Sequence, residues 1–197
     1  MSREQILETP LSSEEIRRLS VGDMVYLRGE IIMMKTPGYA RALDLASRGE
    51  NMPVAFNGAA IYHGFTALKE EEGGLRTHYL GPTLSYRYSE LAPRMISELG
   101  VKAFIGKMGA SMSDETLTAM KEYTCIHLGQ IGGVTAYNSH QLEGPIKAFW
   151  TDILGERCLL YRANSMGPLI VSMDSRGQSL FVQVEQQKRV AIRQILS

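Results

Sequence analysis

The middle third of the chain alternates two kinds of pattern, and that alternation restricts the fold more than any other feature. The helical spacing Leu91, Met95, Ile96, Leu99 closes on Gly100, and the apolar run Val101 to Ile105 follows without a linker. That run passes directly into Gly106-Lys107-Met108-Gly109. Ser113-Asp114-Glu115 then opens a second helix through Met120, and Cys125 to Leu128 forms another short strand. Strands alternating with helices point to a layered α/β domain, because each helix must lay its apolar stripe on a sheet face.

The flanks read as follows. Ser12 stands three residues ahead of Glu15, a capping-box pattern for a short helix ending near Val21-Gly22. Met24 to Met34 is apolar and β-branched, interrupted at Arg28-Gly29-Glu30, so it reads as two strands or one with a bulge at Gly29. Pro37 suits the first turn of a helix carrying Tyr39, Leu43 and Ala46, with Gly49 just past its end. Ala59 to His63 predicts a strand, Glu72-Gly73-Gly74 a turn, and a further strand ends at Leu80. Near the C-terminus, Leu159 to Tyr161 and Leu169 to Ser172 read as separate strands. Asp174 to Gly177 reads as a turn, Ser179 to Val182 as a strand, and Glu185 to Leu196 as a terminal helix. No repeat, low-complexity tract or Pro/Ser-rich linker divides the chain, so one α/β domain of mixed topology over residues 1–197 is expected.

Composition excludes several function classes. With 44% hydrophobic residues the chain has material for a real core, and Lys+Arg 21 against Asp+Glu 21 leaves no net charge for nonspecific nucleic-acid binding. No apolar run approaches the ~20 residues that span a bilayer, and no charged-then-apolar leader opens the chain, so a cytoplasmic location is expected. Cys125 and Cys158 form no CxxC, and His63, His78, His127 and His140 show no metal-ligand spacing, so neither group predicts a metal site. Gly106-Lys107 fails as a phosphate loop: the upstream glycine is misplaced and Met108 stands where a hydroxyl belongs. No GxSxG elbow exists.

Two glycine-bearing loops at strand ends remain, Gly81-Pro82-Thr83-Leu84-Ser85-Tyr86-Arg87 and Ile105-Gly106-Lys107-Met108-Gly109. Loops beyond the carboxyl ends of strands are where α/β sheets bind ligands, and glycine lets backbone N–H groups approach an anion. Arg87 offers a bidentate fork for a carboxylate and Lys107 a point charge. The same residues also read as solvated charges beside turn glycines, the commoner meaning of motifs this short.

Five segments in register, GDMVYLRGEI (22–31), NGAAIYHG (57–64), GPTLSYRY (81–88), IGKMG (105–109) and GPLIVSMDSRGQSLF (167–181), resemble the β-subunit of the iron–sulfur hydro-lyases, the class I fumarase and L-tartrate dehydratase family. The resemblance implies a swivelling β/β/α domain that closes over a cluster-bearing partner, and an enzyme that adds or removes water on a small dicarboxylate. Fumarate/L-malate is the first substrate pair and tartrate the next. The family's GPT-x-S-x-R loop maps onto Gly81, Pro82, Thr83, Ser85 and Arg87, and its Gly-Lys-Gly-Gly loop onto Gly106, Lys107 and Gly109, with Met108 in place of the first paired glycine. Thr83 is thereby implied as base or proton relay, and Arg87 and Lys107 as carboxylate ligands.

Two further segments depart from the family pattern. Met33-Met34-Lys35-Thr36 replaces a Thr-Ala-Arg-Asp segment, so Lys35 stands for a substrate-binding arginine, and Gly64-Phe65-Thr66 replaces an Ala-Gly-Pro. Lysine cannot reproduce a guanidinium fork, so substrate choice is expected to shift at Lys35. A noncatalytic paralogue serving as a carboxylate-binding or structural subunit is the alternative. The chemistry that the resemblance implies uses a [4Fe-4S] cluster held by three cysteines. Two cysteines cannot hold one, so the cluster is expected on a separate α-subunit, in an αβ heterodimer or (αβ)2 assembly.

Overall fold

The computed structural model describes residues 4–72, 74–83, 88, 90–108, 112–131, 137, 139–153 and 158–196. Eight strands and five helices occur among them: β1 (Glu4–Glu8), α1 (Ser13–Arg17), β2 (Met24–Met34), α2 (Thr36–Ser47), β3 (Ala60–Glu71), β4 (Gly74–Pro82), α3 (Ala92–Leu99), β5 (Ala103–Lys107), α4 (Asp114–Tyr123), β6 (Ile126–Gln130), β7 (Leu142–Phe149), β8 (Cys158–Met173) and α5 (Leu180–Leu196). The α/β expectation holds. None of the described helices is long and apolar enough to cross a membrane.

Strands β1, β2, β3, β5 and β6 run parallel in the order β1-β2-β3-β5-β6. β8 runs antiparallel to both β6 and β2, and so closes a ring β2-β3-β5-β6-β8. Two-residue alternation then sorts each strand between two cores. Ile31, Met33, Ala60, Tyr62, Ala103, Ile105, Ile126, Leu128 and Tyr161 fill the ring. Ile32, Met34, Ile61 and Phe104 face outward and are covered by Tyr39 and Leu43 of α2, Met95 and Ile96 of α3, and Met120 of α4. Each fully buried aliphatic or aromatic side chain of this kind contributes roughly 1.5–3 kcal/mol, so the two cores together account for the persistence of the ring.

Local signals act as expected at several places. Ser12 caps α1, its hydroxyl accepting from the Glu15 N–H while the Glu15 carboxylate accepts from the Ser12 N–H. Pro37 lies in the first turn of α2, and Gly100 ends α3 in the left-handed region at φ 72°. β2 is one strand with irregular pairing between Leu27 and Gly29. There Gly29 has φ +88°, and a Cβ would lie 2.5 Å from the Thr9 hydroxyl.

Three expectations are corrected, and two strands are added. α1 ends at Arg17, well before Gly22. The two short strands expected at 159–161 and 169–172 are one continuous β8, because Gly167 tolerates an approach that would put a Cβ 2.7 Å from the Val25 carbonyl oxygen. The Gln141 side chain also bonds both the N–H and the C=O of Gly167, so the strand continues through Gly167-Pro168. Ser179 to Val182 is not a strand: Ser179 alone bridges Met173, and α5 begins at Leu180, where Phe181 packs against the core. β1 and β7 carry no strong strand signal. β7 contains Gly144-Pro145 and is tolerated as an outer strand, with its pairing irregular at that point.

His127, on the outward face of β6, is wholly buried, and its Nδ1 lies 2.5 Å from the Ser172 hydroxyl. Burial pulls its pKa down to about 3. The unfolded chain protonates this residue near pH ~6.5 while the fold does not, so stability is lost as pH falls from about 6.5 toward 3. At about 1.4 kcal/mol per pH unit this removes roughly 2 kcal/mol between pH 7 and pH 5. Urea unfolding at the two pH values should show that loss in the natural chain and a clearly smaller one in His127→Asn. Equal losses in both would refute the assignment.

Candidate functional site

The parallel strands deliver their C-terminal ends to one edge of the ring. Lys35 follows β2 and is the N-cap residue of α2, His63 and Gly64 lie where β3 leaves the ring, Lys107 ends β5 and Gln130 ends β6. With strands ~4.8 Å apart, Lys35 and Lys107 start roughly 10–15 Å from each other, a span that two lysine side chains can close around a small anion.

Thr83 occupies the centre of this edge for a reason visible in the ladders. β3 pairs with β5 only as far as Tyr62 opposite Ile105, then continues outward into a hairpin with β4. The returning β4 brings Gly81 opposite Phe65 and Pro82 opposite Gly64, and Thr83 enters the gap between the diverging strands. Its N–H donates to the His63 carbonyl at 2.9 Å, its own carbonyl accepts from the Lys107 N–H at 2.9 Å, and its hydroxyl donates to the His63 carbonyl at 3.3 Å. The two loops found separately in the sequence are thus joined backbone to backbone.

The glycines at this point answer to close packing. A Cβ on Gly64 would lie 2.3 Å from the Gly81 carbonyl oxygen and from the Tyr62 ring, and one on Gly81 would lie 2.7 Å from Phe65 and 2.8 Å from Tyr79. Gly106 is buried opposite Gly129 in the β5–β6 ladder. Met108, which stands where the family has the first of two paired glycines, lays its side chain over Gly129, where a Cβ would come within 2.3 Å of it, and its N–H donates to the Gln130 carbonyl at 3.3 Å.

Lys107 is exposed, while Gln130, its register partner, is buried. The Tyr62 hydroxyl, inside the ring, donates to Gln130 Oε1 at 2.6 Å, and burial raises the Tyr62 pKa well above the usual phenol value. On the other side of β3, the buried His63 contacts the Tyr39 hydroxyl through Nδ1 at 3.0 Å and packs on the Tyr88 ring at 4.1 Å between centroids.

Of the residues singled out in the sequence, Lys35, Gly81, Pro82, Thr83, Gly106 and Lys107 therefore lie along one edge. Ser85, Arg87 and Gly109 lie outside the described residues. Sequence reasoning missed Tyr62 and Gln130. The available signal was a lone amide ending the apolar run Ile126 to Gln130, and it says little without the ring that places Tyr62 beneath it.

The fold and site define an α/β chain with a polar, lysine-bearing edge at the C-terminal ends of its parallel strands, the usual location of ligand sites in such sheets. The family described as "Fumarase C-terminus" matches residues 2–184, and the chain belongs to that family. Among curated relatives it is 29% identical to "Putative L(+)-tartrate dehydratase subunit beta" of Methanocaldococcus jannaschii, over 88% of this chain and 89% of that one. It is 28% identical to "L(+)-tartrate dehydratase subunit beta" of Escherichia coli, over 91% of this chain and 87% of that one. It is 31% identical to "Putative fumarate hydratase class I" of Geobacillus stearothermophilus, over 91% of this chain but only 34% of that longer chain.

Proposed function

We propose that this chain is the β-type subunit of a [4Fe-4S]-dependent hydro-lyase that adds water to, or removes it from, a small dicarboxylate, with fumarate/L-malate as the leading pair and tartrate as the next. The observation that supports it most is the hydrogen bond from the Lys107 N–H to the Thr83 carbonyl, which joins the two loops that the family resemblance names independently. In this reading Lys107 and Lys35 hold substrate carboxylates as point charges, and Arg87 adds a bidentate fork. Thr83 stands beside them as base or proton relay: its hydroxyl bonds the His63 carbonyl at 3.3 Å, and taking a substrate proton requires that its own proton pass to a neighbouring carboxylate supplied by the partner subunit. Lys35, a compact point charge on a flexible stem where arginine would present a rigid fork, tunes which dicarboxylate fits.

The residues of this chain do not fit a cluster. Cys125 and Cys158 are both buried in the helix-side core, burial raises the Cys125 thiol pKa, and Cys158 packs where a Cβ on Gly38 would touch its sulfur. Among the described residues no three His, Cys, Asp or Glu side chains are grouped to hold a metal ion. In this reading the cluster belongs to the α-subunit. What this chain contributes is positive charge, orientation of the substrate and exclusion of water when the two subunits meet.

Anaerobic reconstitution with iron and sulfide tests this, using the chain alone and together with a three-cysteine α-subunit. Hydration of fumarate or dehydration of tartrate should require both chains, and this chain alone should be colourless and silent. A brown, active single chain would overturn the subunit assignment, and an assembled pair inert toward fumarate, L-malate and tartrate would overturn the hydro-lyase reading in favour of a noncatalytic paralogue.

A further inference from the structure

The Gln130 side chain is 1% exposed, and its Nε2 has no hydrogen-bond partner among the described residues. Its oxygen is already taken by the Tyr62 hydroxyl at 2.6 Å, which turns the NH2 group the other way. A buried amide with an unused N–H costs stability, so its presence in a native fold calls for a reason. The position explains what the amide could serve. Gln130 is the register partner of Lys107, so the two side chains leave the same face of the ladder at the edge where Thr83 is fastened to Lys107.

We propose that the Gln130 amide, held in orientation by Tyr62, is a specificity-determining substrate contact whose Nε2 donates an N–H to an oxygen of the ligand bound between Lys107 and Thr83. The proposal rests on the dicarboxylate reading above. A site that uses a neutral amide beside lysines reads more than charge. An amide N–H donor fixed in one direction favours a ligand with an acceptor oxygen at that point and rejects one that places a methyl group there, because the donor is then left unpaired. Tyr62 is a positioning residue: it touches the amide and not the ligand.

Steady-state kinetics of the assembled α–β complex with L-malate and with L-tartrate test it. Gln130→Met is expected to raise KM by about tenfold or more and to change the malate-to-tartrate preference, while the melting temperature changes little, since the unused N–H and the acceptor of the Tyr62 hydroxyl are removed together. Tyr62→Phe should give a smaller rise in KM in the same direction. Natural KM and an unchanged preference in Gln130→Met would make the amide structural and overturn the proposal. Should that variant fail to assemble, the complex containing this chain labelled with 15N-glutamine provides the second readout: the Gln130 side-chain NH2 signals should shift on adding L-malate, and unmoved signals overturn the proposal. Lys107→Ala separates the two levels. If it impairs activity while Gln130→Met does not, only this inference fails. If neither variant alters activity, the site itself is misplaced.

Discussion

Removing the Lys107 side chain in the assembled complex is expected to lower kcat/KM by roughly 10²-fold or more, while the melting temperature moves by no more than about 2 °C. The asymmetry follows from how the residue is held. Its backbone N–H fastens Thr83, and its backbone pairs with Gln130 along β6; alanine keeps both. Its side chain is exposed at the end of β5 and fills no part of either core. On the proposed function, what alanine deletes is a charge-assisted contact to a substrate carboxylate, and losing such a contact in a closed, water-excluding site typically costs about 2–5 kcal/mol. Lys107→Arg keeps the charge but moves it and should retain more activity than alanine. Natural kinetics in Lys107→Ala would remove this edge from consideration as the site.

The second large effect concerns stability. Asp174 is buried in the turn between β8 and α5, and its carboxylate accepts from the Arg176 guanidinium at 2.6 Å, from the Arg176 and Gln178 N–H groups at 2.9 and 3.1 Å, and from the Val21 N–H at 3.4 Å. The same Arg176 nitrogen donates to the Leu19 carbonyl at 3.0 Å and to the Ser20 hydroxyl at 2.9 Å. One carboxylate thus ties the end of β8 to the segment that leads into β2, two strands whose pairing closes the ring. Asp174→Ala leaves several donors without their acceptor and should cost about 2–4 kcal/mol, lowering the melting temperature by roughly 5–15 °C. Arg176 is half-exposed and can turn to water, so Arg176→Ala should cost less. Differential scanning calorimetry decides the order. A larger loss in Arg176→Ala would show that the clamp depends on the guanidinium and not on the carboxylate.

The DSRG segment therefore owes its place to folding, and the loops at 81–83 and 105–107 owe theirs to the edge. Reading the sequence could not make that separation, since both kinds of motif show the same mixture of glycine, charge and hydroxyl. The elements with local signals were legible: the Ser12 and Glu15 box, Pro37 opening α2, and Gly100 closing α3 each act through groups a few residues apart. β7 and the continuity of β8 were not, because what overrides Gly144-Pro145 and Gly167-Pro168 is pairing with strands remote in the chain and the grip of the Gln141 amide.

By itself the sequence determined the alternation of strand and helix, the caps, the family, and the residue types at the strand ends, since these rest on local spacing and on motifs in register. Only the tertiary structure decided that β8 closes a ring, that Thr83 fills the gap where β3 turns away from β5, and that a buried amide lies beside Lys107. Each of those follows from the path of one strand relative to another many residues away, and such paths are settled by which faces can be buried together in the folded chain.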